Sequence, residues 1–455
     1  MNAMLLTGIF ITLAVIIGAS VYSGRKVKTS ADFDTAGKKA GSFEVAGGIM
    51  GTLVGGSSTI GTAQLAYNYG LSAWWFTLGA GIACLVLALF YVKPMRRMDC
   101  PTITGMISKE FGAPVGKLAS VLSAFGTFIN IISQLLSATA IIELLFPALP
   151  LTVSLLISAA VMMIYVIFGG VRSAGFVGIF KLLLLYFAVI LGGATALKLC
   201  GGFDALYGSL DHARYFNLFG RGIGTDGGAG VSLILGVLCT QSYAQALLAG
   251  KSDAEAKKGA LISAFMIPPI GVGGILIGLY MRLNYPELAS AKTAFPRFIS
   301  MNMPPFICGV IFATLFIAVV GTGAGLALGI SSIVSNNLIK IKDPGKKLLF
   351  SRAVIAAVLL LACVFSTGSL GDVILNFAFM SMGLRAAVVF APLCCALWLS
   401  GKVSPRWAAA AVVTGPLTVL VFGLLDVLSF DPLFLGIGAA LACCAIGYFA
   451  KKREA

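Results

Sequence analysis

Residues 47–61 read Gly47-Gly48-Ile49-Met50-Gly51-Thr52-Leu53-Val54-Gly55-Gly56-Ser57-Ser58-Thr59-Ile60-Gly61. They lie inside an apolar run, 45–67, long enough to cross the roughly 30 Å hydrocarbon core of a bilayer as a helix. Near its middle, Gly55 to Thr59 are all poor helix formers, through a missing side chain, a hydroxyl that competes for the backbone, or β-branching. In hydrocarbon every backbone N–H and C=O must be paired, so chain that gives up helical bonds there must bind something else. The stretch predicts a broken transmembrane helix with a site at the break. The bland alternative is a small-residue stripe for close helix packing.

The rest of the chain supports the membrane reading. Of 455 residues, 59% are apolar and 11% charged, with a mean hydropathy of +1.00; soluble domains carry about 25% charged residues. Apolar runs predict about thirteen transmembrane helices, at 4–22, 45–67, 72–92, 118–143, 150–168, 173–197, 228–249, 260–281, 304–338, 353–371, 373–399, 407–425 and 432–450. The fold class is an all-α polytopic membrane protein. With the N-terminus outside, 24 Lys and Arg fall in the cytoplasmic loops and tail, 6 fall outside, and Lys181 and Arg385 lie within spans. That bias follows the positive-inside rule for a multi-pass inner-membrane protein with a cytoplasmic C-terminus. The net charge of +15 therefore sets topology, and no nucleic-acid partner is implied. The 10 cysteines show no metal-ligand spacing and read as small apolar filler.

A second glycine-rich stretch, Gly321-Thr322-Gly323-Ala324-Gly325, sits at depth in the overlong ninth span and predicts a second break, with packing as its alternative. Polar residues at mid-depth are few: Gln64, Asn130, Gln134, Gln241, Gln245, Thr322, Lys181 and Arg385. Polar groups at such depth mark pathways and sites. No acidic residue lies deep in a span, so neither cation has an evident carboxylate partner. Lys181, about two turns from a span end, has snorkelling as its bland reading. Arg385 is too central to snorkel, and a bound anion or exposed carbonyls are its expected partners.

These residues resemble the sodium:solute symporter family. The resemblance is carried by Ser30-Ala31-Asp32-Phe33, Ser57-Ser58-Thr59-Ile60-Gly61, Ala66-Tyr67-Asn68-Tyr69-Gly70 and Phe168-Gly169-Gly170. It continues at Gln245-Ala246-Leu247-Leu248-Ala249-Gly250-Lys251-Ser252 and Glu255-Ala256-Lys257-Lys258-Gly259. The resemblance implies a five-plus-five inverted-repeat core with discontinuous helices. Its repeats would span 45–197 and 228–399, joined by an external loop at 198–227. An extra helix and loop (1–44) and two extra helices with a basic tail (400–455) would flank it.

The resemblance also implies a sodium site with ligands at Gly51, Val54, Ala318 and Thr322. Two positions depart from the family pattern: Gly321 stands where a hydroxyl is usual, and Gly178 where an Asp is usual. Lys181 follows one turn later. The expectation is sodium-coupled symport of a small solute. The alternative is a proton-coupled or cation-independent carrier in which Lys181 replaces the sodium. No cofactor is implied beyond Na+ or H+ as the coupling ion. The substrate site would be lined by Gly56, Ser57, Ser58, Asn130, Gln134, Gln241 and Arg385, near the midplane of the bilayer. Arg385 favours a carboxylate-bearing solute, because its planar fork pairs with a carboxylate bidentately. An aromatic gate that sugar carriers of the family place near Leu235-Gly236 is absent, which disfavours sugars. A channel would need a filter-like repeat. An intramembrane enzyme would need paired catalytic groups at depth, and the only histidine is His212 in a predicted loop. A sensor would be expected to carry a soluble domain. None of these fits as well as a carrier.

Overall fold

The computed structural model describes residues 2–24, 36–167, 170–339, 341, 343–367, 374–425, 428 and 430–454. The motif at Ser30–Phe33, Phe168 and Gly169 lie outside the described residues. Among the described residues the protein is helical, apart from one isolated parallel bridge between Ala40 and Gly250.

Helices cover the predicted spans in order. The first is α1 (Ala3–Gly24). The quoted stretch gives α2 (Ser42–Leu53), a break, and α3 (Thr62–Tyr69). Then come α4 (Trp75–Val86), α5 (Ala113–Leu145), α6 (Leu151–Ile167) and α7 (Gly170–Leu199). The second half begins with α8 (Ile223–Leu238), α9 (Gln241–Leu248), α10 (Asp253–Met266) and α11 (Pro268–Asn284). It ends with α12 (Pro305–Ile333), α13 (Pro344–Ser366), α14 (Ile374–Trp398), α15 (Pro405–Leu425) and α16 (Leu433–Glu454). Among the described residues, 9 helices are long and apolar enough to cross a membrane, and the bent pair α8–α9 makes a tenth. Two further helices carry shorter apolar stretches, Ala3–Ile16 and Leu151–Val166. The expected count of about thirteen crossings is not confirmed among the described residues.

α2 is central, packing against α7, α9, α10 and α12. α5 packs against α12 and α14, and α8 against α14. α1 lies outside this core on α12 and α7, while α15 and α16 pack on each other and on α14.

The break in the first quoted stretch is present. α2 stops at Leu53, Val54 is extended (φ −88°, ψ 100°), and a π-helical turn, Ser57–Gly61, leads into α3. The predicted break in the ninth span is absent: α12 runs unbroken through Gly321–Gly325. Its glycines serve close packing, since a Cβ on Gly323 would lie 2.6 Å from Met162 Sδ and one on Gly325 2.5 Å from Thr52 Cγ2. The second real break falls in the seventh span, read as continuous from sequence. α8 ends at Leu238, α9 begins at Gln241, and the two are bent by 44°.

Candidate functional site

Lys181, on α7, is fully buried and does not snorkel. Its Nζ donates to the carbonyl of Gly51 at 2.6 Å, the carbonyl of Ala318 at 2.8 Å and Thr322 Oγ1 at 3.2 Å. Gly51 is in the last turn of α2, where carbonyls lose their helical partners. The break thus frees an acceptor, and the ammonium takes it. Ala318 O lies within α12 and uses its second lone pair. Three of the four expected cation ligands converge on the lysine; Val54, the fourth, is not among its partners.

The two departures from the family pattern acquire a steric reason. A Cβ on Gly321 would sit 3.4 Å from Lys181 Nζ and 3.3 Å from Tyr165 Oη, so a methyl fits with a small shift while the longer hydroxyl-bearing side chain usual there would crowd both. A Cβ on Gly178 would collide with the carbonyl of Gly47 and lie 3.3 Å from Gly51 Cα. α7 meets α2 too closely there for an aspartate.

Next to this cradle, Gln134 of α5 holds the broken segment. Its Oε1 accepts from the Gly56 N–H at 3.0 Å, and its Nε2 donates to Ser57 Oγ at 3.0 Å and Asn130 Oδ1 at 3.2 Å. Ser57 Oγ and Ser133 Oγ are 3.2 Å apart, and Ser133 also donates to the carbonyl of Ile374. Ser58 turns away, donating to the carbonyl of Gly55. Gly56, Ser57, Asn130 and Gln134 are thus brought together as expected. Ser133 was missed, although it shares the α5 face that Asn130, Gln134 and Ser137 define at helical spacing.

Arg385, on α14, is fully buried and lies at the second break. Its Nη1 donates to Thr240 Oγ1 at 2.6 Å, Nε to the carbonyl of Ser381 at 3.1 Å, and Nη2 to Ser381 Oγ at 3.1 Å. Its stem crosses Gly126 of α5, where a Cβ would lie 2.9 Å from Arg385 Cγ. That is one turn from Asn130. Among the described residues no carboxylate pairs with Arg385 or Lys181. Gln241 does not join this group: its Oε1 accepts from the Ile103 N–H at 2.9 Å and its Nε2 donates to the carbonyl of Pro101 at 3.1 Å. Its amide is consumed in tethering α9 to the segment before a short helix, Ile103–Phe111.

At the end of the bundle that carries the basic loops, the starts and ends of the broken helices are latched. The Ala40 N–H donates to the carbonyl of Ala249 and the Lys251 N–H to that of Ala40, both at 2.9 Å. Arg96 pairs with Asp253 at 2.7 Å and donates to the carbonyls of Leu247 and Gly250. Hydrogen bonds from Ser42 hold the Glu255 carboxyl below its ordinary range, and Lys38 does the same for Asp99. Both carboxyls are ionised at neutral pH, and what they contribute is lost only as pH falls through those lowered values. Separating α2 from α9 at this face requires breaking the latch. Hydrogen bonds to charged groups contribute about 1.5–3 kcal/mol each. Arg96→Ala is therefore expected to raise labelling of a Ser242→Cys thiol by an impermeant maleimide about tenfold from that side, in a background without other reactive thiols. Unchanged labelling would remove the latch from the account.

A family model for the sodium:solute symporter family matches residues 33–415. An uncharacterized symporter, YwcA, of Bacillus subtilis (strain 168) is 31% identical over 187 residues, 41% of this chain and 36% of that relative. The match thus spans about a third of that relative's length. A sodium/glucose cotransporter of Vibrio parahaemolyticus is 24% identical over 403 residues, 78% of this chain and 73% of the relative. Among solved structures, a substrate-bound, outward-open Na+-coupled sialic acid symporter superposes with a TM-score of 0.83 at 18% identity, covering 99% of this chain and 98% of its own. Mhp1, a nucleobase-cation-symport-1 family transporter in a closed conformation, gives 0.59 at 12% identity over 92% and 94% of the two chains. The fold is shared with these transporters.

Proposed function

The chain belongs to the sodium:solute symporter family, and from that premise we propose that it carries a small organic anion by alternating access, with the Lys181 ammonium in the place of a coupling sodium. It is a multi-pass membrane transporter of that family and not an enzyme. The reading rests on one observation: Lys181 Nζ lies within hydrogen-bonding distance of Gly51 O, Ala318 O and Thr322 Oγ1. A sodium ion would need the same oxygens, and a second positive charge beside a buried ammonium is strongly disfavoured. A lysine can bind and release a proton, so the coupling ion in this reading is H+; if Lys181 stays charged throughout, transport is cation-independent.

The solute class follows from charge. Lys181 and Arg385 are both fully buried, and among the described residues neither has an ion pair. A carboxylate on the solute would offset that excess, with Arg385 as its partner and Gly56, Ser57, Asn130 and Gln134 around its polar groups. Arg385 would reach an anion by releasing Thr240 and Ser381. The proposed topology is N-terminus outside and C-terminus cytoplasmic in the inner membrane, on the 24-to-6 distribution of basic residues.

Sodium coupling is the second reading. It is favoured by the family and by two similar transporters, a sodium/glucose cotransporter and a Na+-coupled sialic acid symporter. In that case Lys181 must leave the cradle during the cycle. The deciding experiment is uptake of a panel of carboxylates into proteoliposomes under a sodium gradient, a proton gradient, or neither. Uptake indifferent to sodium supports the first reading, and strict sodium dependence removes it. Arg385→Gln is expected to raise the KM for the transported carboxylate at least about tenfold, in line with the loss of a charge-assisted bidentate pair. An unchanged KM would detach Arg385 from the solute.

A further inference from the structure

The hydrogen bonds around the broken helix run in a fixed direction. The Gly56 N–H can only donate, so the Gln134 atom that meets it at 3.0 Å is the amide oxygen. Gln134 Nε2 then gives one hydrogen to Ser57 Oγ at 3.0 Å and the other to Asn130 Oδ1 at 3.2 Å. At the far end, the carbonyl of Ile374, the first residue of α14, can only accept, and Ser133 Oγ gives it its single proton at 3.1 Å. The 3.2 Å contact between Ser57 Oγ and Ser133 Oγ is therefore filled by the Ser57 proton. The neighbouring hydroxyls also point inward: Ser58 and Thr59 donate to the carbonyl of Gly55, and Ser137 to that of Ser133. Ser57 and Ser133 are buried. With its proton held by Ser133 and one bond accepted from Gln134, Ser57 Oγ has a lone pair left and no hydrogen. Gln134 Oε1 likewise accepts once and keeps a second lone pair.

We propose that the carried solute is a hydroxycarboxylate whose hydroxyl donates to Ser57 Oγ while its carboxylate meets Arg385, and that Ser133 sets this preference by holding the Ser57 proton away from the solute. The proposal rests on the reading that Arg385 binds the solute carboxylate. The two poles are neighbours along α5: the Arg385 stem crosses Gly126, and Asn130, bonded to Gln134, is one turn further on. An oxo group in the hydroxyl's place brings lone pairs against a lone pair. It binds only if Ser57 turns its proton over, which leaves Ser133 Oγ without its donor in a buried setting where a missing hydrogen bond is unfavourable. An ammonium could also donate to Ser57, but it would add a third positive charge near Lys181 and Arg385, both fully buried. Ser133 itself touches Ser57 and Ile374 and acts through them, as a positioning residue.

The test is calorimetric titration of the purified full chain with two matched series: lactate, pyruvate and propionate, then 3-hydroxybutyrate, acetoacetate and butyrate. In at least one series the hydroxy acid is expected to bind at least about tenfold more tightly than its oxo and unsubstituted analogues. Ser133→Ala frees the Ser57 proton, so the oxo acid should gain affinity by at least about threefold and match or overtake the hydroxy acid. A gain of that kind cannot come from a damaged protein. Ser57→Ala removes the acceptor itself and should level the three acids, which keeps the proposal open to refutation if Ser133→Ala does not purify. Equal binding of hydroxy and oxo acids by the native chain would overturn the proposal, as would a hydroxy-acid preference that survives either substitution. Binding of none of the six acids would instead remove the carboxylate reading of Arg385, and this proposal with it.

Discussion

Lys181→Gln lowers carboxylate uptake at least tenfold in sodium-free proteoliposomes under a proton gradient, and the uptake that is left becomes responsive to sodium. Both halves of this expected result have one cause. The glutamine side chain is shorter and ends in a neutral amide, so Gly51 O, Ala318 O and Thr322 Oγ1 lose their shared cation. A buried polar group left unpaired costs about 1–3 kcal/mol, and at least one carbonyl, that of Gly51, has no helical partner to fall back on. Three oxygens converging on a space the size of an ammonium are also a ligand set for a small hard cation. The measurement is initial uptake against external sodium for the native protein and the variant, with reconstitution checked by protein content. Native uptake that needs sodium, together with a variant that merely loses activity, would sink the idea that Lys181 occupies the coupling site.

Gly55→Ala has the second largest expected effect. Gly55 lies between the cation cradle and the Gln134 cluster. A Cβ there would strike Thr322 Oγ1 and come within 2.7 Å of Gln134 Oε1. Overpacking of this kind costs about 1–3 kcal/mol, here charged to two hydrogen-bonded groups that hold the broken segment. Uptake is expected to fall at least tenfold while the protein still inserts and purifies as a monodisperse species. Gly321→Ala is the internal control. Its Cβ would meet nothing closer than 3.3 Å, so its uptake should stay within about threefold of native, as a small-to-large change with room to relax. If the two variants behave alike, close contact at Gly55 is not what matters.

Composition and hydrophobic runs were enough to place the helices, because a chain that is 59% apolar can be covered only by lipid. A break near the middle of the second span was legible too, since the two glycines and three hydroxyl residues of Gly55–Thr59 are poor helix formers; the structure places it at Val54–Gly56, with Ser57–Gly61 already a π-helical turn. The glycines of the ninth span were not decisive. A glycine stripe serves equally as a hinge or as a flat face, and the presence of Met162 and Thr52 opposite Gly323 and Gly325 makes it a face. The break at Cys239–Thr240 carries no glycine at the bend. Its only local signal is the run Thr240-Gln241-Ser242 in an otherwise apolar span.

The sequence by itself determined that this is a membrane protein, that one helix is broken near Gly55–Thr59, and that two cations, Lys181 and Arg385, lie at depth without an acid in their own spans. Those are properties of composition and of local backbone preference, which act residue by residue. The tertiary structure alone decided what each cation meets. Hydrogen-bond partners at Gly51, Ala318 and Thr322 come from helices 130 or more residues away from Lys181, and those at Gln241 tie it to Pro101 and Ile103 and away from the site. Such pairings depend on how helices distant in the chain pack, which no local pattern encodes.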